Sequence, residues 1–147
     1  MDRECRRPDE VSQRVAATQH GLITLNQALE AGFTRRQIRW RLDSGQWTKV
    51  LPGVLAIAPP IDVWLQGLMA AGLWTGDAVI VGLASAGLWQ LEGIAPGVIE
   101  IATATRKRHA AVIVHHGASF PHEDLIRHRG LLVTTPTRTL IDISGVV

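Results

Sequence analysis

The chain has a single cysteine, Cys5, no tyrosine and two phenylalanines among its 147 residues. One thiol cannot form an internal disulfide, and it excludes a zinc site with four thiolate ligands. Such sparing use of cysteine is typical of a reducing compartment, so we expect a cytoplasmic protein. The first ten residues mix both signs of charge without an apolar core, which excludes a secretory signal peptide at this end.

Long apolar runs and low-complexity tracts are also missing. Hydrophobic residues make up 46% of the chain and charged residues 19%, which is the composition of a folded protein. The most apolar stretches, residues 61–73 and 79–91, are shorter than the roughly 20 residues that a membrane span needs. We therefore expect no membrane association. The two stretches instead predict a buried helical hairpin, in which Asp77 caps the second helix and three tryptophans fill the core: Trp64, Trp74 and Trp89.

Lysine and arginine are absent from residues 51–105 and concentrated on either side. Residues 34–50 carry five basic side chains and one acidic side chain, and residues 106–129 carry five and two. Two basic islands indicate contact with a polyanion, unless each is simply a solvated surface. Local structure has to separate these two interpretations.

Two helices are predicted in the first thirty residues. Apolar spacing predicts a helix over residues 10–20 that ends at a glycine. After a short apolar bridge, Thr24 and Gln27 have the spacing of a capping box ahead of a second helix at residues 25–31. Gly32 then closes this helix in a left-handed conformation.

A third helix is predicted to start at Thr34, where Gln37 repeats the capping box. Two helices joined by so tight a turn indicate a helix-turn-helix. Helical periodicity places Ile38 and Leu42 on one buried stripe. Four arginines share this helix with one acid, and guanidinium groups suit phosphate oxygens and guanine edges. Trp40 either lies against a sugar or base, or covers a neighbouring strand.

A β-hairpin is predicted next, with strands at residues 47–50 and 54–57 joined by Leu51-Pro52-Gly53. Three helices followed by a hairpin make a winged helix, with Lys49 on the wing. Arg41 and Lys49 are expected on flanking phosphates. The residues predicted to contact DNA are Thr34, Arg35, Arg36, Gln37, Arg39, Trp40, Arg41 and Lys49.

The rest of the chain predicts a second, mixed unit after the prolines at residues 59–60. Strands are predicted at 98–102, 112–114 and 131–134, forming a small sheet. Thr135 and Pro136 have the pattern of a helix start, with Leu140 and Ile143 inward and Arg138 paired to Asp142 at the surface. The predicted fold class is α+β, with a flexible N-terminus at 1–7, a winged helix-turn-helix at 8–58 and a helical-hairpin-plus-sheet domain at 59–147.

Catalytic and metal-binding patterns are weak. Five histidines fall within residues 109–128, yet the adjacent His115 and His116 point to opposite faces of a strand. No His-Glu-x-x-His motif or comparable pair of histidines at helical spacing occurs. Ser85 and Ser119 lack the glycine-flanked turn of a catalytic serine. We therefore expect no metal, no cofactor and no enzymatic activity.

Residues 19–55, from Gln-His-Gly-Leu-Ile-Thr to Val-Leu-Pro-Gly-Val-Leu, closely resemble the N-terminal winged helix of AbiEi-type antitoxins. Residues 81–91 resemble a helix of that family's second domain, although Val81-Gly82 stand where relatives carry Ser-His. Residues 133–143 look like its Val-Thr-(Ser/Thr)-Pro-x-Arg-Thr-Leu-x-Asp signature. Many relatives continue into a restriction-endonuclease-fold domain that this chain does not include.

The resemblance implies a DNA-binding transcriptional regulator that is the antitoxin of a type IV toxin-antitoxin system and represses its own operon. Its partner would be double-stranded operator DNA, with a homodimer as a further expectation and no direct binding of the toxin. One alternative is the N-terminal portion of a very-short-patch-repair-like nuclease, with the second domain truncated at its C-terminal end. Another is that the basic islands dock an acidic protein.

Overall fold

The computed structural model of the chain describes residues 2–145, which divide into two compact units. Unit 1 ends at Ala70 and unit 2 begins at Ala71. This division falls later than the boundary predicted after residue 58. The beginning of the following helix belongs with unit 1, where the Gln66 side chain donates a hydrogen bond to the His20 carbonyl at 3.0 Å.

Unit 1 has the element order of a winged helix. Besides helices it contains three strands, at residues 22–24, 48–51 and 54–56, and these form one antiparallel sheet in which the third strand in sequence lies between the other two. The prediction of an α+β fold with an N-terminal winged helix is confirmed. The elements are α1 (Asp2–Ala17), β1 (Leu22–Thr24), α2 (Leu25–Ala31), α3 (Arg35–Asp43), β2 (Thr48–Leu51) and β3 (Val54–Ala56).

Both predicted capping boxes are present, and they set where α2 and α3 begin. The Thr24 hydroxyl accepts a hydrogen bond from the Gln27 amide, while the Gln27 side chain accepts one from the Thr24 amide. These contacts pair N–H groups that a helix start otherwise leaves without partners. Gly32 ends α2 with φ 114°, a left-handed conformation that an L side chain resists.

The core of unit 1 lies between the helices and the sheet. Ile23 of β1, Ile38 of α3 and Leu55 of β3 are all buried there. The rings of Phe33 and Trp47 meet edge to face with centroids 5.0 Å apart. Burying each of these large side chains contributes on the order of 2 kcal/mol, so the core holds α3 against the sheet.

The structure corrects the sequence prediction at two places in unit 1. The helix α1 begins at Asp2 and ends at Ala17, earlier at both ends than the predicted residues 10–20, and Met1 lies outside the described residues. Flexibility of the first seven residues stays a prediction. Leu22 and Ile23 belong to a strand rather than a simple bridge. This strand of three residues has no local signal, because it exists through pairing with β3, thirty residues later.

Unit 2 contains a five-stranded sheet with the order β6 (Ile113–His116), β5 (Glu100–Thr103), β4 (Val79–Ile80), β8 (Leu131–Thr134) and β7 (Leu125–His128). The pairs β5–β6 and β4–β8 are parallel, and the other two pairs are antiparallel. A helix, α4 (Val63–Thr75), crosses from unit 1 into unit 2. The remaining elements are α5 (Gly82–Leu88) and α6 (Pro136–Ile143), with a 3-10 turn at His122–Asp124.

The predicted helical hairpin is wrong at its second arm. Val79 and Ile80 form the central strand β4, and α5 begins only at Gly82. Short buried strands and buried helices are both uniformly apolar, so periodicity cannot distinguish them. Asp77 does not cap α5; it accepts hydrogen bonds from the Thr103 hydroxyl and from the Ala104 amide, the latter at 3.0 Å.

The predicted three-stranded sheet is also incomplete, since β4 and β7 were not expected. The helix start at Thr135 is confirmed, because its hydroxyl accepts a hydrogen bond from the Arg138 amide. Ile143 is buried as expected, whereas Leu140 is 54% exposed and was wrongly placed inward. Of the three tryptophans expected in a core, Trp74 is buried, and Trp64 and Trp89 are half-buried.

Over the described residues, none of the helices has the length and apolar character needed to cross a bilayer.

We predict that Gly32→Ala lowers the free energy of unfolding by about 1–2 kcal/mol. The added Cβ would occupy a left-handed backbone conformation and would lie 3.2 Å from Pro8 Cγ. The matched control is Gly72→Ala within α4, where the added Cβ meets nothing within 4 Å. Helix propensity makes that control neutral or stabilising by about 0.5–1 kcal/mol. Urea unfolding curves measure both, and equal effects of the two changes would contradict this account of the α2 end.

We also predict that Asp77→Asn lowers the stability of unit 2 at neutral pH. The variant should also lose less stability than the unaltered protein when the pH is lowered. The hydrogen bond from the Thr103 hydroxyl, with that from the Ala104 amide, lowers the pKa of Asp77. The stability that ionised Asp77 contributes is therefore complete above the ordinary aspartate pKa of about 3.9. It is lost as the pH falls through the lower pKa that Asp77 has in the folded protein. Urea midpoints between neutral pH and pH ~3 test this. Glu92→Gln is an exposed control that should leave the neutral midpoint unchanged.

Candidate nucleic-acid interface

The outward face of α3 carries three arginines and a tryptophan. Arg35, Arg36 and Arg39 are exposed, and Trp40 is 59% exposed. We call these four residues the α3 surface. Among the side chains that the structure describes, those of residues 7–145, no ion pair is formed by any of the three guanidinium groups. Trp40 is thus not buried against a neighbouring strand, and its contact with a sugar or base stays a prediction.

The orientation of the α3 surface follows from the opposite face of the same helix. Ile38 is 3% exposed and lies in the core of unit 1, and Leu42 packs against that core. Because a helix turns about 100° per residue, burying these positions directs Arg36, Arg39 and Trp40 outward.

Thr34 and Gln37 are exposed, but their side chains already serve the start of α3. The Thr34 hydroxyl accepts a hydrogen bond from the Gln37 amide at 3.1 Å. The Gln37 side-chain oxygen accepts one from the Thr34 amide at 2.8 Å. The Gln37 side-chain NH₂ group remains as a donor toward a ligand. Contact of either residue with DNA stays a prediction.

Arg41 is half-buried and makes contacts within unit 1, and its predicted contact with a flanking phosphate stays a prediction. Its guanidinium donates two hydrogen bonds to the Asp9 carboxylate, at 2.7 and 3.1 Å. The guanidinium carbon also lies 4.9 Å from the ring centroid of Phe33 and 5.2 Å from that of Trp47. Arg41 therefore ties α3 to α1, to Phe33 in the turn before α3 and to Trp47 just before β2. Sequence reasoning missed Asp9, because the pair is separated by thirty-two positions and leaves no local pattern.

Lys49 is exposed on β2, opposite Leu55 of β3. The pairing shifts register between Lys49 and Leu51, which adds a local irregularity to the hairpin. The turn residues Pro52 and Gly53 are exposed as expected of a wing. The lysine is thus accessible for the predicted phosphate contact.

The α3 surface combines features suited to a nucleic acid. Guanidinium groups are planar, permanently charged and able to donate two parallel hydrogen bonds to a phosphate or to the O6 and N7 atoms of guanine. Because they have no acidic partner in the described chain, binding would not first have to break an ion pair. An exposed indole can lie flat on a sugar or base.

The histidine-rich segment does not assemble a metal centre. His115 Nε2 lies 2.7 Å from a Glu100 carboxylate oxygen, and His116 Nε2 lies 2.9 Å from the Ala104 carbonyl oxygen. Within the described part of the chain, no three histidine, cysteine or acidic side chains are close enough to hold a metal. Ser85 is fully buried, and its hydroxyl lies 2.7 Å from that of Thr139.

Arg138 makes the predicted pair with Asp142 at 2.8 Å and a second one, which was not expected, with Asp124 at 3.1 Å. The hydrogen bond to Asp142, followed by that to Asp124, raises the pKa of Arg138 above its ordinary value. The guanidinium also lies over the ring of Phe120. Arg138 therefore links α6 to the turn before β7, and its guanidinium group is engaged in contacts within the fold.

A helix-turn-helix with a β-hairpin behind it places unit 1 in the winged-helix class. More particularly, residues 11–58 match the family model described as AbiEi antitoxin, transcriptional regulator. The match runs from α1 through β3 and confirms the predicted resemblance for this segment. Comparisons with curated proteins and with solved structures give no significant match. The resemblances at residues 81–91 and 133–143 stay predictions.

We predict that Arg41→Ala lowers the free energy of unfolding by about 1–2 kcal/mol, through loss of the ion pair with Asp9 and of the contacts with two aromatic rings. Arg39→Ala is the matched control, since its exposed side chain forms no ion pair within the described chain, and the change should stay within about 0.5 kcal/mol. Urea unfolding measures both. Equal effects would show that the Arg41 contacts do not stabilise unit 1.

Proposed function

We propose that the protein is a DNA-binding transcriptional regulator that contacts duplex DNA through the α3 surface. The observation that carries this proposal is the set of three exposed arginines, without ion pairs in the described chain, on the second helix of a helix-turn-helix. The match of residues 11–58 to a family of transcriptional regulators supports it independently of charge.

In this proposal α3 enters the major groove. Arg35 and Arg36 lie in the first helical turn, the part of a recognition helix that meets base edges in this class of motif. Arg39 follows one turn later and is directed to a base edge or a phosphate, and Trp40 lies against the sugar-phosphate backbone. Lys49 reaches a flanking phosphate from the hairpin. Phosphate contacts position the helix, and guanine contacts supply sequence preference.

The finer proposal is that the protein is the antitoxin of a type IV toxin-antitoxin system and represses its own operon. Its support is the description of the matched family, together with the resemblance of residues 19–55 to the same family. An antitoxin of this type acts without directly binding the toxin. A nucleotidyltransferase-like toxin gene next to the gene for this protein would agree with the proposal, and repression of a reporter placed behind the upstream DNA would test it.

We predict that replacing Arg35 and Arg36 together by alanine removes preferential binding to the DNA upstream of the gene. Losing a guanine-type contact costs about 1–3 kcal/mol per arginine, so the affinity for this DNA should fall at least about tenfold. If one or both arginines contact phosphate instead, the slope of log K against log salt decreases by about 0.9 for each. Fluorescence anisotropy with labelled duplexes measures both quantities.

The matched control replaces two other exposed arginines, Arg14 of α1 and Arg127 of β7. It removes the same charge while leaving the α3 surface unchanged, so upstream DNA should still be preferred over a scrambled duplex. Binding by the Arg35/Arg36 variant as tight as that of the unaltered protein would refute the proposal. Retention of an acidic protein at high salt, combined with no DNA binding at low salt, would instead favour the docking alternative.

A further inference from the structure

A second basic segment, which the winged helix does not use, connects β5 to β6 in unit 2. Three consecutive cationic residues lie there, Arg106, Lys107 and Arg108. Arg106 and Arg108 are exposed, whereas Lys107 is half-buried. The two arginines therefore present the exposed charges of this segment. We call Arg106 and Arg108 the loop arginines.

Lys107 anchors this segment from the inner side. Its ammonium donates a hydrogen bond to the Trp74 carbonyl at 2.6 Å and lies 5.6 Å from the Trp74 ring centroid. The ring of His109 meets the same tryptophan at 6.0 Å, and its Nδ1 accepts a hydrogen bond from the Ala111 amide. The loop arginines are therefore carried by a backbone that is tied to buried Trp74 on both sides.

The start of the segment is held by Asp77. Its carboxylate accepts hydrogen bonds from the Thr103 hydroxyl and the Ala104 amide, and the Thr103 bond lowers the pKa of Asp77. This acid is directed toward the threonine and backbone donors rather than toward the loop arginines. Neither loop arginine forms an ion pair with a side chain of residues 7–145, the ones that the structure describes.

The loop arginines border a concave surface that is open to solvent. A hollow of about 490 Å³ is lined by Arg106, Lys107, Arg108, Val114 and His116. A second hollow of about 600 Å³ is lined by Arg108, His109, Ala110, Val112 and Val114. No acidic side chain lines either hollow, so a bound anion would meet no repulsion from a carboxylate there.

We propose that unit 2 carries a second phosphate-binding surface, in which Arg106 and Arg108 contact the backbone of duplex DNA. The proposal rests on the proposed function of the α3 surface and extends it to a part of the chain for which no ligand is assigned. The loop presents no helix that could enter a groove and read base edges. Its contribution is therefore to affinity, equally on every sequence, and not to sequence preference.

The composition of the surface favours DNA over an acidic protein as the occupant. Protein interfaces are centred on buried apolar or aromatic anchors. The exposed residues of the loop are instead cationic, imidazole-bearing or alanine, and the one large aromatic nearby, Trp74, is buried beneath it. Paired guanidinium groups on an ordered backbone are suited to phosphate oxygens.

The test uses the full chain with two loop variants, Arg106→Ala with Arg108→Ala, and Arg106→Lys with Arg108→Lys. Anisotropy titrations are run over a range of salt on the upstream duplex and on a scrambled duplex of equal length. The alanine pair should weaken binding to both duplexes by the same factor and lower the salt slope by about 0.9 for each arginine. The lysine pair keeps the charge and should retain most of the slope.

The control is Arg14→Ala with Arg127→Ala, which removes two charges elsewhere, and circular dichroism checks that every variant is folded. If the unaltered protein prefers upstream DNA but the alanine pair binds with the same affinity and slope, the loop inference is overturned and the proposed function stands. If the control lowers the slope as much as the alanine pair does, the effect is one of overall charge and the inference is also overturned. If the unaltered protein binds no duplex at low salt, the proposed function itself fails.

Discussion

The placement of α3 depends above all on the burial of Ile38 in the core of unit 1. This side chain is 3% exposed and shares a cluster with Phe33, Trp47 and Leu55. A helix with one strongly buried position has little rotational freedom about its axis, so the opposite face must be presented to solvent. That face carries Arg36, Arg39 and Trp40, and the exposed Arg35 lies beside the buried stripe. Together they form the α3 surface, which gives the protein its proposed ability to bind DNA.

Arginine serves two different purposes within one helix of unit 1. Arg41 is paired with Asp9 and lies over two aromatic rings, so it fixes α3 in place. Arg35, Arg36 and Arg39 lie free of ion pairs within the described residues and can meet an external anion. A similar division occurs in the loop of unit 2, where Lys107 is bonded to the Trp74 carbonyl and the neighbouring arginines remain exposed. In both places a partnered cation orders the backbone that carries the unpartnered ones.

Local features of the fold were predictable from the sequence. The residues Thr24, Gln27, Thr34 and Gln37 form the two expected capping boxes, and Gly32 adopts the expected left-handed conformation. Helical periodicity placed Arg36 and Arg39 opposite the buried Ile38, and both are exposed. Strands β1 and β4 were missed because each has only two or three residues and pairs with strands distant in the sequence, whereas β7 was missed although it forms a hairpin with the adjacent β8. Leu140 was misplaced because helical spacing alone does not say which apolar side faces the sheet.

The sequence by itself determined where the helices of the winged helix start and how arginine is concentrated on α3, because caps, turns and periodicity act between near neighbours. It also carried the resemblance of the first third of the chain to AbiEi-type regulators. Only the tertiary structure decided which of those arginines can reach a ligand. Asp9 lies thirty-two positions before Arg41, and their ion pair forms only once α1 and α3 pack together. Likewise, Asp77 became an anchor for the loop after β5 because the pairing of β4 with β5 brings it beside Thr103. Contacts between distant positions carry no periodic signal, so the fold alone could separate structural charges from those available for binding.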